Sequence, residues 1–184
     1  DISYLYDISD GAFDITIKPI VSLWGFGKNK NEIWKPPTSR DILENIVMVN
    51  GDYLLIGNWN YISKLNPNLE IDVNAIAKGY GVDAVHQTLF HIGYENIMVE
   101  IGGEVRTKGK NRNNEPWMIA VEAPDLENAE SKTISWALPL ESNALATSGD
   151  YRNYYKIDGI RYSHEIDPRT GYPAQTGVAS ATVV

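Results

Sequence analysis

A histidine stands three residues ahead of an Asp-Pro turn in the run Ser163-His164-Glu165-Ile166-Asp167-Pro168-Arg169-Thr170-Gly171-Tyr172-Pro173. The run gathers a titratable imidazole, carboxylates, a guanidinium and hydroxyls, made rigid by two prolines and a glycine. Loops of that make-up hold chemistry more often than packing. His164 suits chemistry, and it equally suits a hydrogen-bonded loop anchor. The residues alone leave both readings open. His164, Glu165 and Asp167 also have metal-ligand chemistry, but close loop positions need not converge on one ion.

A second constellation runs from Glu70 to Asp83, as EIDVNAIAKGYGVD, where a strand end feeds a long helix. Free backbone N–H groups at a helix start receive phosphate oxygens, Ala75 and Ala77 leave room for close approach, and Lys78 adds a positive charge. Asp72 and Asn74 as caps are the simpler reading. The pattern is neither GxGxxG nor a Walker A loop, so both of those phosphate-binding signatures are absent. Gly102-Gly103 admits a ligand's close approach, yet a bulge or tight turn explains it as well. Ser148, in Thr147-Ser148-Gly149-Asp150, reads as turn chemistry rather than as a nucleophile. Arg106, Lys108, Lys110 and Arg112 alternate, which predicts a solvated, charge-protected strand edge.

The elements that must position these groups are mixed. Ile2, Leu5, Tyr6 and Ile8 give a partly helical pattern that stops at Gly11. Residues 28–37 read as a polar loop with paired prolines, after which Thr38 and Asp41 form a capping box for a helix carrying Ile42, Leu43, Ile46 and Val47. Residues 53–56 and 61–65 read as strands. Ile76, Val82, Val85 and Leu89 predict one face of a helix over 74–91, with Gly93 at its C-terminal cap and His86 and His91 as structural or surface histidines. Residues 96–101, 117–123 and 133–140 are β-branched and aromatic enough for strands. Asp158-Gly159 predicts a two-residue hairpin turn within 154–162, and 177–184 predicts a further strand.

Composition bounds the rest. The chain has 184 residues, 43% of them hydrophobic, enough for one sizeable core, so a single domain is expected. Lys and Arg number 16 against 24 Asp and Glu, a net charge of −8, which argues against broad capture of nucleic acid or anionic lipid. An anionic ligand therefore needs local help from a cation, a helix start or a basic strip. With no cysteine there are no disulfides and no thiolate chemistry.

Taken together, GAFDITIKPIVSLWGFG (11–27), IDVNAIAKGYGVD (71–83), VEIGGEVRTKGKN (99–111), TSGDYRNYY (147–155) and RYSHEIDPRTGYP (161–173) resemble the ApbE family of FAD:protein FMN transferases, in order and across nearly the whole chain. The resemblance implies an α+β fold of mixed sheets packed with helices, T-fold-like in architecture. It also implies that FAD is cleaved at its pyrophosphate with magnesium, that FMN is joined through a phosphodiester to a Thr or Ser of an acceptor flavoprotein, and that AMP leaves. Flavin-nucleotide contacts carry over to Gly11, Ala12, Phe13, Asp72, Lys78 and Ile166, with Ser148 in a similar lining segment. The metal contact falls on Ala75, which can offer only its carbonyl oxygen. His164 matches the histidine thought to activate the acceptor hydroxyl. Family members usually carry an export signal and a lipid-anchored cysteine, implying a lipoprotein on the periplasmic side of the inner membrane, and a later Asp- and Thr-bearing segment that completes the metal site. Neither is in these residues, so a longer native protein is expected. An FAD pyrophosphatase, or an FAD-binding module without catalysis, fits the same residues.

Overall fold

The computed structural model describes residues 2–26, 34–57, 61–124, 133–150 and 153–184. In chain order its elements are α1 (Ile2–Ile8), α2 (Lys18–Trp24), α3 (Ser39–Ile46), β1 (Leu54–Gly57), β2 (Tyr61–Lys64), α4 (Asn74–His91), β3 (Ile97–Ile101), β4 (Glu104–Lys108), β5 (Trp117–Glu122), β6 (Ile134–Leu140), β7 (Ala144–Gly149), β8 (Tyr154–Ile157), β9 (Ile160–Ser163), β10 (Ile166–Asp167), β11 (Tyr172–Pro173) and β12 (Ser180–Val183). Helices and antiparallel sheets mix as the α+β expectation has it. No described helix is long and apolar enough to cross a membrane. The chain divides into two compact units, one of Asp1–Val73 with Asn153–Thr176, the other of Asn74–Arg152 with Gly177–Val184.

The first unit is built around Trp24. Pro19 opens α2 and Gly25 closes it, so the helix ends with Trp24 facing Ile20 and Ile42 in a core flanked by Phe26, Trp34, Tyr162 and Ile166. The capping box of α3 forms in both directions: Thr38 N donates to Asp41 Oδ2 (2.9 Å) and Asp41 N donates to Thr38 Oγ1 (3.2 Å). A smaller core joins Ile15, Leu54 and Leu69 with Ile2 and Phe13. Strands β8 and β9 pair from Tyr154↔Ser163 to Ile157↔Ile160, and the turn residues Asp158 and Gly159 both have positive φ (50° and 80°), as their sequence predicts. Of the expected 28–37 loop, residues 28–33 lie outside the described residues; 34–37 have no regular structure.

In the second unit α4 lies on a four-stranded antiparallel sheet of order β12-β7-β4-β3. Partners directly across a ladder share a face, so Ile97, Val99 and Ile101 of β3 lie on the same side as Lys108, Arg106 and Glu104 of β4. That side meets α4, where Val82 packs with Ile97, Val99 and Leu89. The opposite side presents Val105 and Leu145 to the β5–β6 hairpin through Leu140, Ile119, Val121 and Leu138.

Three local expectations are overturned here. Val85 is 45% exposed and His86 takes its place at 6%, because the buried stripe on α4 follows 79, 82, 86 and 89 rather than the most apolar residues. The basic strip is not an edge: β4 is an inner strand, Arg106 Nη1 reaches Asp83 Oδ1 (2.6 Å) and Lys108 Nζ sits 4.4 Å from the Phe90 ring centroid, both on α4. Lys110 and Arg112 lie past the strand's end. Finally, Thr147 and Ser148 are not in a turn but in β7, paired to Thr182 and Ala181 of β12.

Candidate functional site

In the first unit the histidine loop is tied down residue by residue. His164 N donates to Asn153 O (3.1 Å) as β9 ends, and the short β10–β11 pair sets Ile166 opposite Pro173. Between them Asp167 closes the turn: its carbonyl accepts from Gly171 N (2.8 Å), and its carboxylate accepts from Arg169 N, Nε and Nη2 at 2.8–2.9 Å. The hydrogen-bonded Arg169 holds the Asp167 carboxyl below the usual carboxylate range. Gly171 O in turn accepts from Trp24 Nε1 (2.7 Å), fastening the loop to the core. Asp167 and Arg169 thus clamp the loop. Among the described residues no three His, Cys, Asp or Glu side chains gather as a metal site, so His164, Glu165 and Asp167 do not form one. The imidazole has its Nδ1 buried without a hydrogen-bond partner among the described residues, and its ring meets that of Phe26 in a T-shaped pair, 6.3 Å between centroids.

The Gly11–Phe13 segment is drawn to the same loop by contact between Gly11 and the Arg169 side chain: a Cβ on Gly11 would lie 3.7 Å from Arg169 Cγ. Its amides are already spent. Gly11 N donates to Tyr6 O (3.0 Å), Ala12 N to Ser9 O (3.0 Å) and Phe13 N to Ser9 Oγ (3.0 Å), while the Phe13 ring packs in the Ile15 core. The segment can therefore offer a ligand carbonyl oxygens and backbone surface, but no amide for a phosphate. Beside it opens a cleft of about 470 Å³ lined by Asp7, Asp10, Gly11, Asp52, Pro168 and Arg169, among others. Burial and then the surrounding carboxylates, Asp52 foremost, push the Tyr6 hydroxyl pKa up. Asp72 belongs to this unit too; its amide donates to Ile15 O (2.7 Å), and its carboxylate lies 3.8 Å from Lys18 Nζ. Ile166, like Phe13, commits its side chain to the core.

The remaining sequence-predicted residues lie in the second unit. Ala75 is exposed in the first turn of α4, and Lys78 follows one turn later. Lys78 is not a free cation: Nζ pairs with Glu104 Oε2 (2.7 Å) and donates to Gly102 O (3.1 Å). Gly102 and Gly103, both at positive φ (58° and 99°), make the tight β3–β4 turn. A side chain on Gly102 would stand 3.0 Å from Lys78 Cδ, so its absence lets Lys78 lie across the turn. Ser148 is exposed on the face of β7 opposite to Leu145; continuing the Val105↔Leu145 register sets it level with Gly102, at the same end of the sheet as Lys78.

The structure thus collects Gly11, Ala12, Phe13, Asp72, His164 and Ile166 in one unit and Ala75, Lys78 and Ser148 in the other. Sequence reasoning missed Arg169 as neighbour of Gly11, Phe26 as neighbour of His164, and Glu104 as partner of Lys78. No local pattern marks these pairs, since each joins residues far apart in the chain.

A model of the ApbE family matches residues 2–184. The chain is 41% identical over 183 residues to a FAD:protein FMN transferase of Haemophilus influenzae and 43% identical to one of Vibrio cholerae, covering 98% of this chain and 52% of each relative. Among solved structures it resembles the flavin transferase ApbE from Vibrio cholerae (TM-score 0.83, 41% identity, 98% of this chain and 56% of that one). It also resembles the ApbE protein of Thermotoga maritima (TM-score 0.84, 34% identity, 98% and 57%). The chain spans about half the length of the curated relatives it matches.

Proposed function

The chain belongs to the ApbE family, and from that premise we propose that it serves magnesium-dependent transfer of FMN from FAD to a Thr or Ser hydroxyl of an acceptor protein. What carries the reading is that, of the clamped loop's imidazole, guanidinium and Asp167 carboxylate, the last two pair with each other while the His164 Nδ1 has no hydrogen-bond partner among the described residues, in a chain whose relatives bear the transferase name.

The roles follow from what each residue has left to give. Gly11, Ala12 and Phe13, with amides used, meet the flavin nucleotide through carbonyls and backbone surface, which suits an imide N–H or a hydroxyl on the ligand better than a phosphate. Ile166, with its side chain committed to the core, contributes main chain. Asp72 accepts from ligand hydroxyl or amide groups. Lys78, held over the Gly102 turn, meets pyrophosphate oxygens in exchange for part of its pairing with Glu104, and Ser148 lines the same end of the sheet. His164 takes the proton from the acceptor hydroxyl as its oxygen bonds to the FMN-side phosphorus; the phosphorus–oxygen bond to AMP breaks and AMP leaves with that electron pair.

Magnesium, when bound, supplies charge neutralisation at the pyrophosphate. The described residues do not compose its site: Ala75 offers one carbonyl oxygen, and no three ligating side chains gather. Placement as a periplasm-facing lipoprotein is part of the proposal through the family alone.

The test is AMP release from FAD by the intact protein with and without an acceptor carrying the target Thr. Acceptor-dependent AMP with no free FMN supports transfer. Equal AMP and free FMN without acceptor makes it a pyrophosphatase, and FAD binding with no AMP under either condition makes it a binding module.

A further inference from the structure

The nitrogen of His164 that a general base normally anchors to a carboxylate or carbonyl is, in this protein, sealed and unpaired: Nδ1 is buried with no hydrogen-bond partner among the described residues. The Asp167 carboxylate, three residues away, is occupied by Arg169. What stands against the imidazole is the ring of Phe26, at 66° and 6.3 Å between centroids. Phe26 is itself immobilised. Its ring meets Tyr155 at 5.1 Å, Tyr155 stacks on Trp34 at 4.1 Å and 5°, and the Tyr155 hydroxyl donates to the carbonyl of Gly25, the residue before Phe26 (3.2 Å).

We propose that Phe26 is a positioning residue for His164: its ring, packed against the imidazole, fixes the imidazole plane, keeps the ring proton on the sealed Nδ1 and leaves the Nε2 lone pair to meet the acceptor hydroxyl. The proposal rests on the reading of His164 as the base. A T-shaped pair is an arrangement that ring quadrupoles favour over a face-to-face sandwich. Nδ1–H is also the tautomer that asks nothing new of the sealed side during reaction. When Nε2 takes the hydroxyl proton, Nδ1 keeps the proton it already had, so no second buried donor is created. A carboxylate partner would hold the ring more tightly but would add a negative charge close to the incoming diphosphate, which an aromatic ring does not.

The experiment is ¹⁵N NMR of the histidine side chains in the intact protein, with the His164 signal assigned by its loss in His164→Ala, alongside transfer kinetics. The Nδ1–H tautomer is expected for His164 in the wild type and in Phe26→Tyr, which keeps a ring. Phe26→Leu keeps an apolar side chain without the ring; it should give a mixed tautomer population and a kcat about 10-fold lower, with KM for FAD within about 2-fold, the pattern of a base that is present but misaimed. An Nε2–H tautomer in the wild type overturns the proposal. So does a Phe26→Leu protein with unchanged tautomer and kcat. Should the tautomer shift in Phe26→Leu while His164→Ala transfers FMN at the wild-type rate, the orientation by Phe26 stands and the base reading falls.

Discussion

Replacing Gly171 with alanine tests whether the histidine loop is held in place by the Trp24 core as the geometry states. Gly171 has φ +74°, a left-handed conformation that costs an L-residue about 1–2 kcal/mol. A methyl there would also stand 2.8 Å from Ile42 Cγ2 and 3.1 Å from Ile46 Cδ1, inside the core against which Trp24 packs. Overfilling a packed site adds about 1–3 kcal/mol, less whatever the isoleucine tips relieve by turning, so the sum is about 3 kcal/mol. For a chain of this size that lowers Tm by about 6–12 °C. Gly159→Ala separates the two contributions, because Gly159 has φ +80° but, among the described residues, no neighbouring atom within 4 Å of the added methyl. Its loss should be the conformational part alone, about 1 kcal/mol, or about 2–4 °C. Thermal unfolding followed by circular dichroism measures both. If Gly171→Ala melts no lower than Gly159→Ala, the close packing of the loop against Ile42 and Ile46 is wrong, and with it the account of why His164 is held still.

Other consequences are as direct. His164→Ala should leave FAD affinity intact while slowing transfer about 10²-fold or more, read by flavin fluorescence titration and single-turnover kinetics. Lys78→Ala should weaken FAD binding about 10-fold, whereas Glu104→Gln, by releasing Lys78 from its 2.7 Å ion pair, should tighten it; the same titration showing weaker binding in Glu104→Gln would remove the competition between carboxylate and phosphate. His86 is buried with neither nitrogen partnered among the described residues, and burial, reinforced by Arg106 and Lys108 and opposed by Asp83, lowers its pKa. A depressed folded-state pKa means its share of stability is present above the unfolded value of about 6.5 and is lost as pH falls through the folded one. The urea midpoint should therefore drop between about pH 7.5 and pH 5.5, by less in His86→Leu, and equal drops in the two proteins would exclude His86 as the cause.

What could be read from the sequence was what short stretches decide for themselves. The Asp158-Gly159 turn, the Thr38–Asp41 capping box and the bounds of α4 depend on neighbours within four or five positions, and each forms as expected. The long helix also shows where such reading stops, since ranking residues by hydrophobicity selects Val85 whereas helix phase places His86 against the sheet. Strand β4 looks like an edge until Val105 pairs with Leu145, 40 positions on, and Ser148 looks like a turn residue until β12 arrives to pair with β7. Non-local pairing decides those cases. The candidate site divides the same way: His164, Asp72 and Lys78 announce themselves by type and setting, while Phe26 and Glu104 acquire meaning only from the side chains they meet.

The measurement that bears most directly on the central claim is intact-mass spectrometry of an acceptor protein after incubation with FAD, magnesium and the intact protein. An FMN-sized adduct on the target Thr, reduced to a trace in His164→Ala under conditions where FAD still binds, is the predicted result. An unmodified acceptor, with an active family member flavinylating it alongside, would contradict the account.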